Sequence, residues 1–367
     1  MFLAGCDAGR LADPAPSLQV GRFLGGDASA EFERADEVRR FVFPQDHGPH
    51  PGFRSEWWYV TAVLADADGR EFGAQFTLFR QALRAPREAA RDDNPWRSGQ
   101  AFLAHLAVTD VAADQHLHAQ RFSRGHPDNA SVETEPTFLA RIDDWTLAAT
   151  DDGRWLLSAA DRELAVELWF EMSEGVVLQG EQGLSAKGPG QASYYYSLPG
   201  MPVRGELRVE DERHSVVGRA WMDREWSTSV LGDHLAGWDW FSLYLDDERS
   251  LMAFRLRRKD GARDPYDHGK LVAASAAQTL SAEDFELHPE VFWRDAAGYA
   301  WPIGWRLTLG AETFVVRALV DDQLMHTGIT YYEGIVGVFG ADGRRRLGRG
   351  YMELTGYDQQ PDLQQDH

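Results

Sequence analysis

A single cysteine, Cys6, occurs in 367 residues, so neither an intrachain disulfide framework nor a thiolate metal cluster is possible. Cations are also scarce: 37 Lys and Arg stand against 58 Asp and Glu, a net charge of −21. Phosphate neutralisation needs clustered cations, and so does attraction to anionic lipid. No nucleic-acid partner and no electrostatic membrane attachment are expected. No run of 18 apolar residues occurs, so no spanning helix is expected. There is no G-x-S-x-G, P-loop or dinucleotide fingerprint. The glycine-rich run Gly334 to Gly340 lacks both the spacing and the following helix. Asp46, His47 and His50 stand close together without a second His/Asp cluster, and no metal is expected there. What is plentiful is apolar and aromatic. The hydrophobic fraction of 43% is enough for a sizeable core, and the 13 Trp, 19 Phe and 11 Tyr favour strands and apolar pockets.

The dominant pattern has period two. Trp57, Tyr59, Thr61 and Val63 alternate with Trp58, Val60, Ala62 and Leu64, then Asp66 to Gly69 turns the chain into Glu71 to Phe79. Asp-Gly between alternating runs signals a hairpin. The same grammar predicts strands at 102–109, 116–122, 145–150, 155–159, 163–172, 205–210, 214–221, 238–245, 251–258, 301–309, 313–318 and 350–355. Short helices are expected only at Ala30 to Phe41 and at Gln81 to Asp93, the latter broken by Pro86. Many short strands with tight turns imply an all-β sandwich or barrel. Two aromatic units resemble each other: Trp57-Trp58-Tyr59 leads to Phe79-Arg80, and Trp238-Asp239-Trp240 leads to Phe254-Arg255. They suggest two halves, 41–217 and 218–357, after a tether over 1–30 and before a polar tail at 358–367.

The start, Leu3-Ala4-Gly5-Cys6, resembles a bacterial lipobox, in which Cys6 is lipidated. The stretch after it, Asp7 to Ser29, is polar and rich in Ala, Pro and Gly, as a tether would be. The five residues before Cys6 are shorter than the apolar segment of a signal peptide, so this expectation carries an earlier start with it. Asp7 resembles the inner-membrane retention signal of enteric lipoproteins.

Alternation sorts the unusual residues by face. Glu56, Trp58 and Val60 share one face, with Trp57 and Tyr59 on the other. An inward Glu56 would be desolvated and stay protonated; otherwise it pairs with an Arg such as Arg80. Trp221, Asp223 and Glu225 share a face opposite Met222, Arg224 and Trp226. Two acids beside a Trp line solvent, an ion-pair network or a site. Trp238 and Trp240 share a face opposed to Asp239. Lys187 and Tyr194 to Ser197 fall in the linker between the halves and are expected to wall a pocket there. His105 sits on an apolar strand, as a bonded core residue or a catalyst.

Several stretches together resemble the AttH/carotenoid 1,2-hydratase-like family. They are Phe43-Pro44 to His50-Pro51, Ser55 to Tyr59, Ala104-His105, Gln179-Gly180 with Gly183-Leu184-Ser185, Ala192 to Ser197, Trp221 to Trp226, Gly237 to Trp240, and Glu333-Gly334 with Glu353 to Tyr357. The resemblance implies an all-β fold of two lipocalin-like antiparallel barrels packed side by side, with a cavity in or between them. It implies a secreted or lipid-anchored periplasmic protein, often encoded beside an ABC transporter. Related enzymes hydrate an isolated C=C of an acyclic carotenoid, and fungal relatives shape pericyclic cyclisations, in both cases without a cofactor. Hydration needs an acid that protonates the alkene, and aromatic faces and carboxylates around the cation that results. Glu56, Asp223, Glu225 and Asp239 are the candidate catalytic acids. Trp57, Trp58, Tyr59, His105, Lys187, Tyr195, Trp221, Trp226, Trp238, Trp240 and Arg255 are the candidate ligand contacts. The leading expectation is a binder of a lipophilic, isoprenoid- or lipid-like molecule, accessory to a transporter. A cofactor-free hydratase or pericyclase-like isomerase comes second, and a carbohydrate binder third.

Overall fold

The computed structural model describes residues 31–89, 98–126, 128–172, 175–228, 231–273 and 276–358. Cys6 and its tether lie outside them, as does most of the polar tail.

Strands numbered in chain order divide cleanly between two antiparallel sheets. The first holds β1 (Ser55–Ala65), β2 (Glu71–Ala82), β3 (Gln100–Asp110), β4 (Gln115–Arg124), β5 (Ala130–Glu133), β6 (Leu139–Ile142), β7 (Trp145–Ala149), β8 (Trp155–Ala160), β9 (Leu164–Phe170), β10 (Val177–Leu178), β11 (Leu184–Gly188), β12 (Gln191–Val209) and β13 (Glu212–Ser227). Its order is β4-β3-β2-β1-β13-β12-β9-β8-β7-β6-β5, curling into a nearly closed barrel. The second holds β14 (Leu235–Leu245), β15 (Ser250–Arg258), β16 (His268–Ala273), β17 (Ala276–Ser281), β18 (Phe285–Arg294), β19 (Ala300–Leu309), β20 (Glu312–Ala318), β21 (Leu324–His326), β22 (Thr330–Gly340) and β23 (Arg346–Thr355). Its order is β17-β16-β15-β14-β23-β22-β20-β19-β18, a half-barrel. The fold is the expected pair of all-β, barrel-like domains.

Each barrel is filled by its own side chains. Trp58, Phe72, Phe76, Trp145, Leu168 and Trp226 belong to the first core; Phe241, Trp301, Trp305, Tyr332 and Met352 belong to the second. A third cluster lies between the sheets, where Tyr59, Tyr195 and Trp221 meet Trp238, Trp240, Phe254 and Tyr351. Strand β1 and the second half of β13, Ala220 to Ser227, are therefore buried on both faces. Gly73 serves this contact: a Cβ there would lie 2.9 Å from Ile335 Cβ.

Three sequence expectations are corrected. The chain changes sheets between Ser227 and Leu235, not at 217, because β13 is one 16-residue strand paired with both β1 and β12. Residues 31–41 form no helix. The second helical candidate is mostly not helix: Gln81 and Ala82 end β2, one turn spans Pro86–Ala89, and Ala90 to Asp93 lie outside the described residues. The discarded run Gly334 to Gly340 is part of β22.

Candidate active site

Lys187 and Tyr195 are not in a linker. They lie on β11 and β12, against β13, facing the second domain. The β11–β12 register shifts between Ala186 and Gly188, which leaves Lys187 as the unpaired residue of a bulge. A bulge re-aims a side chain, and here it sends the ammonium onto Glu225 in a buried ion pair. Trp57 and Tyr59 on β1 stand beside Glu225 and Asp223 on β13, in register. This is one wall of a cavity between the domains.

The facing wall comes from β14, β15, β22 and β23. Trp240 pairs in register with Phe254 on one side and Glu353 on the other. Glu353 in turn pairs directly with Glu333. Like charges opposite each other on adjacent strands repel; Glu333 is fully buried and Glu353 is partly exposed. Tyr59 Oη lies 3.0 Å from Glu333 Oε2, and Trp238 Nε1 donates to Glu353 Oε1 at 2.9 Å. Glu333 Oε1 is buried without a hydrogen-bond partner.

Four carboxyls thus face one cavity that holds a single ammonium. Their protonation separates them. Burial, reinforced by Glu353, pushes Glu333 well above the ordinary carboxylate range. Burial, with Asp223 and Glu225 nearby, pushes Glu353 up to about 8. Burial pushes Asp223 up to about 7, against the pull of three donors: Ser197 Oγ and Tyr195 Oη at 2.5 Å and Trp221 Nε1 at 2.7 Å. Both Glu333 and Glu353 are therefore pushed toward the protonated acid, and Asp223 is pushed up to about 7.

Trp57, Phe79, Phe254, Leu256, Trp238 and Trp240 supply the apolar lining. The cavity volume is about 50 Å³, room for roughly three to five waters. Trp57, Phe79, Leu231 and Glu353 are the partly exposed residues of its lining, and they mark the mouth.

The AttH-like family model matches residues 34–357. The chain belongs to the AttH-like family. A solved AttH-designated protein from Nitrosomonas europaea is 34% identical, with a TM-score of 0.79, over 89% of this chain and 100% of that one. Kievitone hydratase from Nectria haematococca shares the fold at 15% identity, TM-score 0.65, over 92% of this chain and 99% of that one. CghA, solved with Sch210972, shares it at 14% identity, TM-score 0.52, over 92% and 97%. No curated protein matches the sequence.

In this AttH-like protein the candidate residues read from the sequence separate by face. Asp223, Glu225, Trp57, Tyr59, Lys187, Tyr195, Trp238 and Trp240 line the interdomain cavity. Trp221 stands behind it, holding Asp223. His105 also stands behind the wall, its Nδ1 2.7 Å from the hydroxyl of Tyr331, a lining residue; burial lowers this imidazole to about 3 and keeps it neutral.

Glu56, Trp58 and Trp226 are corrected to the other side of the first sheet. Glu56 sits between the Arg80 and Arg224 guanidiniums and accepts from His50 N at 3.0 Å. Burial opposes its charge, but the two arginines win and hold it well below the ordinary carboxylate range. It is the pairing with Arg80, not the protonated acid, that the strand builds. Trp58 donates to the His47 carbonyl, and Trp226 stacks on His50 at 3.7 Å.

Asp239 and Arg255 are corrected in the same way. They lie on the inner face of the second barrel, bonded to each other at 2.7 Å. Period two forces this: Trp238 and Trp240 take the cavity face, so Asp239 cannot.

The sequence reading missed Glu333 and Glu353 as acids. The available signal was one carboxylate in an otherwise aromatic and aliphatic strand, Tyr331-Tyr332-Glu333-Gly334-Ile335 and Tyr351-Met352-Glu353-Leu354.

Proposed function

We propose that this protein is a cofactor-free acid catalyst acting on a lipophilic alkene, and that the reaction is hydration. The observation that carries this is the pair Glu333 and Glu353, two carboxylic acids facing each other in an aromatic-lined cavity, the first buried and the second at its partly exposed side. In the proposed step the O–H proton of Glu353 goes to one alkene carbon, and the π pair forms the new C–H bond. The other carbon becomes a cation, to which Trp57, Trp238 and Trp240 offer their π faces. Water attacks that carbon, and its proton passes to a carboxylate, for which Asp223 is suited because it titrates near neutrality. Return of that proton from Asp223 to Glu353 across the cavity restores the acid, so the sum is addition of H and OH across C=C, with water as the only co-reactant. The fold neighbour named as a hydratase is consistent with this reading. The cavity is small, so a substrate enters by displacing the partly exposed residues at its mouth.

The test is incubation of the purified protein with lycopene, neurosporene or the short isoprenoid geraniol in H₂¹⁸O. The expected product carries one added water with the heavy oxygen, and it disappears in Glu353→Gln. A guest that is retained but never gains water would leave the lipophile-binding reading in its place. The apolar mouth supports binding in either case. We also propose that Cys6 is lipidated and anchors the protein outside the inner membrane, where a transporter could supply or remove the guest.

A further inference from the structure

The second barrel has a larger cavity at its open end, about 640 Å³, which the proposed hydration does not use. Its floor is a charge cluster on the inner face. Arg255 lies 2.6 Å and Arg257 3.5 Å from Asp239, and Tyr357 Oη donates to Asp239 at 2.9 Å. Two guanidiniums share one carboxylate, leaving net positive charge at a place where Asp239 is fully buried and the Arg257 side chain is 9% exposed. Arg257 Nε is the atom that faces Asp239, without a hydrogen bond, while the guanidinium donates to the Thr355 carbonyl and stacks on Tyr357 at 3.6 Å. A buried cation that shares its carboxylate with a second guanidinium is under-compensated, and a further anion would balance it.

The surroundings agree. Around the opening stand Arg258, paired with Asp260 and near Asp264, Lys259, and Arg263, which faces Asp267 and Glu286. Burial pushes Asp267 up to about 7, so it offsets only part of that charge at neutral pH. Between the cations the wall is apolar: Phe285 and Leu287 are buried, and Phe292 is 37% exposed at the rim. The opening exists because β17 and β18 are the two free edges of the half-barrel. The chain as a whole carries −21, so an anion is held here by local cations, not by the overall field.

We propose that this mouth is a second binding site, for an amphiphilic anion whose carboxylate or phosphate head sits on Arg255 and Arg257 and whose apolar tail runs along Phe285, Leu287 and Phe292. The guanidinium fork matches either head group. This proposal does not depend on the hydration reading.

Isothermal titration of the full chain with dodecanoate, dodecanol and inorganic phosphate tests it. Dodecanoate is expected to bind one-to-one, at least tenfold tighter than dodecanol or phosphate. Arg257→Gln is expected to weaken it at least tenfold, with circular dichroism confirming the fold. Lys259→Glu at the exposed rim keeps the test open if the first variant does not fold, and it is expected to weaken dodecanoate while leaving dodecanol unchanged. Equal affinity for dodecanol, or dodecanoate binding untouched by the charge variants, overturns the proposal. Phosphate binding as tightly as dodecanoate would make the occupant a free small anion and overturn the amphiphile.

Discussion

Replacing Glu353 by Gln separates the cost of holding an acid protonated from its use. The Glu353 carboxyl titrates at about 8 in the folded chain against an ordinary value of 4.5. Between these values the folded chain keeps a proton that the unfolded chain has released. Stability from this group is therefore complete below about pH 4.5 and falls as pH rises, flattening above about pH 8. Linkage gives a loss of about 3 kcal/mol between pH 5 and pH 8. Gln is nearly isosteric, accepts the Trp238 hydrogen bond through its own oxygen, and does not titrate. The Gln variant's stability relative to the parent is therefore expected to rise by about 3 kcal/mol over that interval, while hydration activity is lost. Urea unfolding midpoints for both proteins at pH 5, 6.5 and 8 measure this. A difference that stays flat across the series would show that Glu353 is ionised at neutral pH, and the acid role would fall with it.

Other perturbations address the remaining charges. Glu56→Gln removes the partner of both Arg80 and Arg224; breaking a buried ion pair costs about 3–5 kcal/mol, so thermal unfolding should fall by many degrees, and a neutral outcome would contradict the structural role. Lys187→Met strands Glu225 and should destabilise the protein at pH 7, whereas Lys187→Met with Glu225→Gln should recover most of the loss; a double-mutant cycle without coupling would refute the pairing. Cys6→Ser should move the protein from the membrane fraction to the soluble periplasm of its host, and unchanged fractionation would remove the lipid anchor.

The fold was legible because period two survives in nearly every strand, and because Asp-Gly turns punctuate it. The face assignments were equally legible: Trp57 with Tyr59, Asp223 with Glu225, and Trp238 with Trp240 share faces as alternation requires. What alternation cannot say is which face is which when both are buried. Glu56 and Asp223 sit on neighbouring strands and look alike in sequence, yet one points into a barrel and the other between barrels. That difference is set by the packing of one sheet against the other, through contacts such as Gly73 with Ile335, whose partners are separated by more than 200 residues. The boundary drawn at 217 falls inside β13, one continuous strand over Glu212–Ser227 that stays in the first sheet. Glu333 and Glu353 each look like an isolated strand acid. Only the β22–β23 register makes them a pair.

The molecule supplies its own control for the meaning of that pair. Where it buries a carboxylate inside a barrel, it surrounds it with cations: Glu56 has Arg80 and Arg224, and Asp239 has Arg255 and Arg257. Where it buries carboxyls between the barrels, Lys187 alone stands against four of them. Chance would not be expected to place the poorly compensated acids together and the well compensated ones apart. Placing the deficit between domains also limits its structural cost, because each barrel keeps an aromatic core that does not depend on the cavity. A catalytic acid must be held away from the cations that would strip its proton. Two barrel-like domains, each with its own core, make that tolerable, since the strain falls on the contact between them.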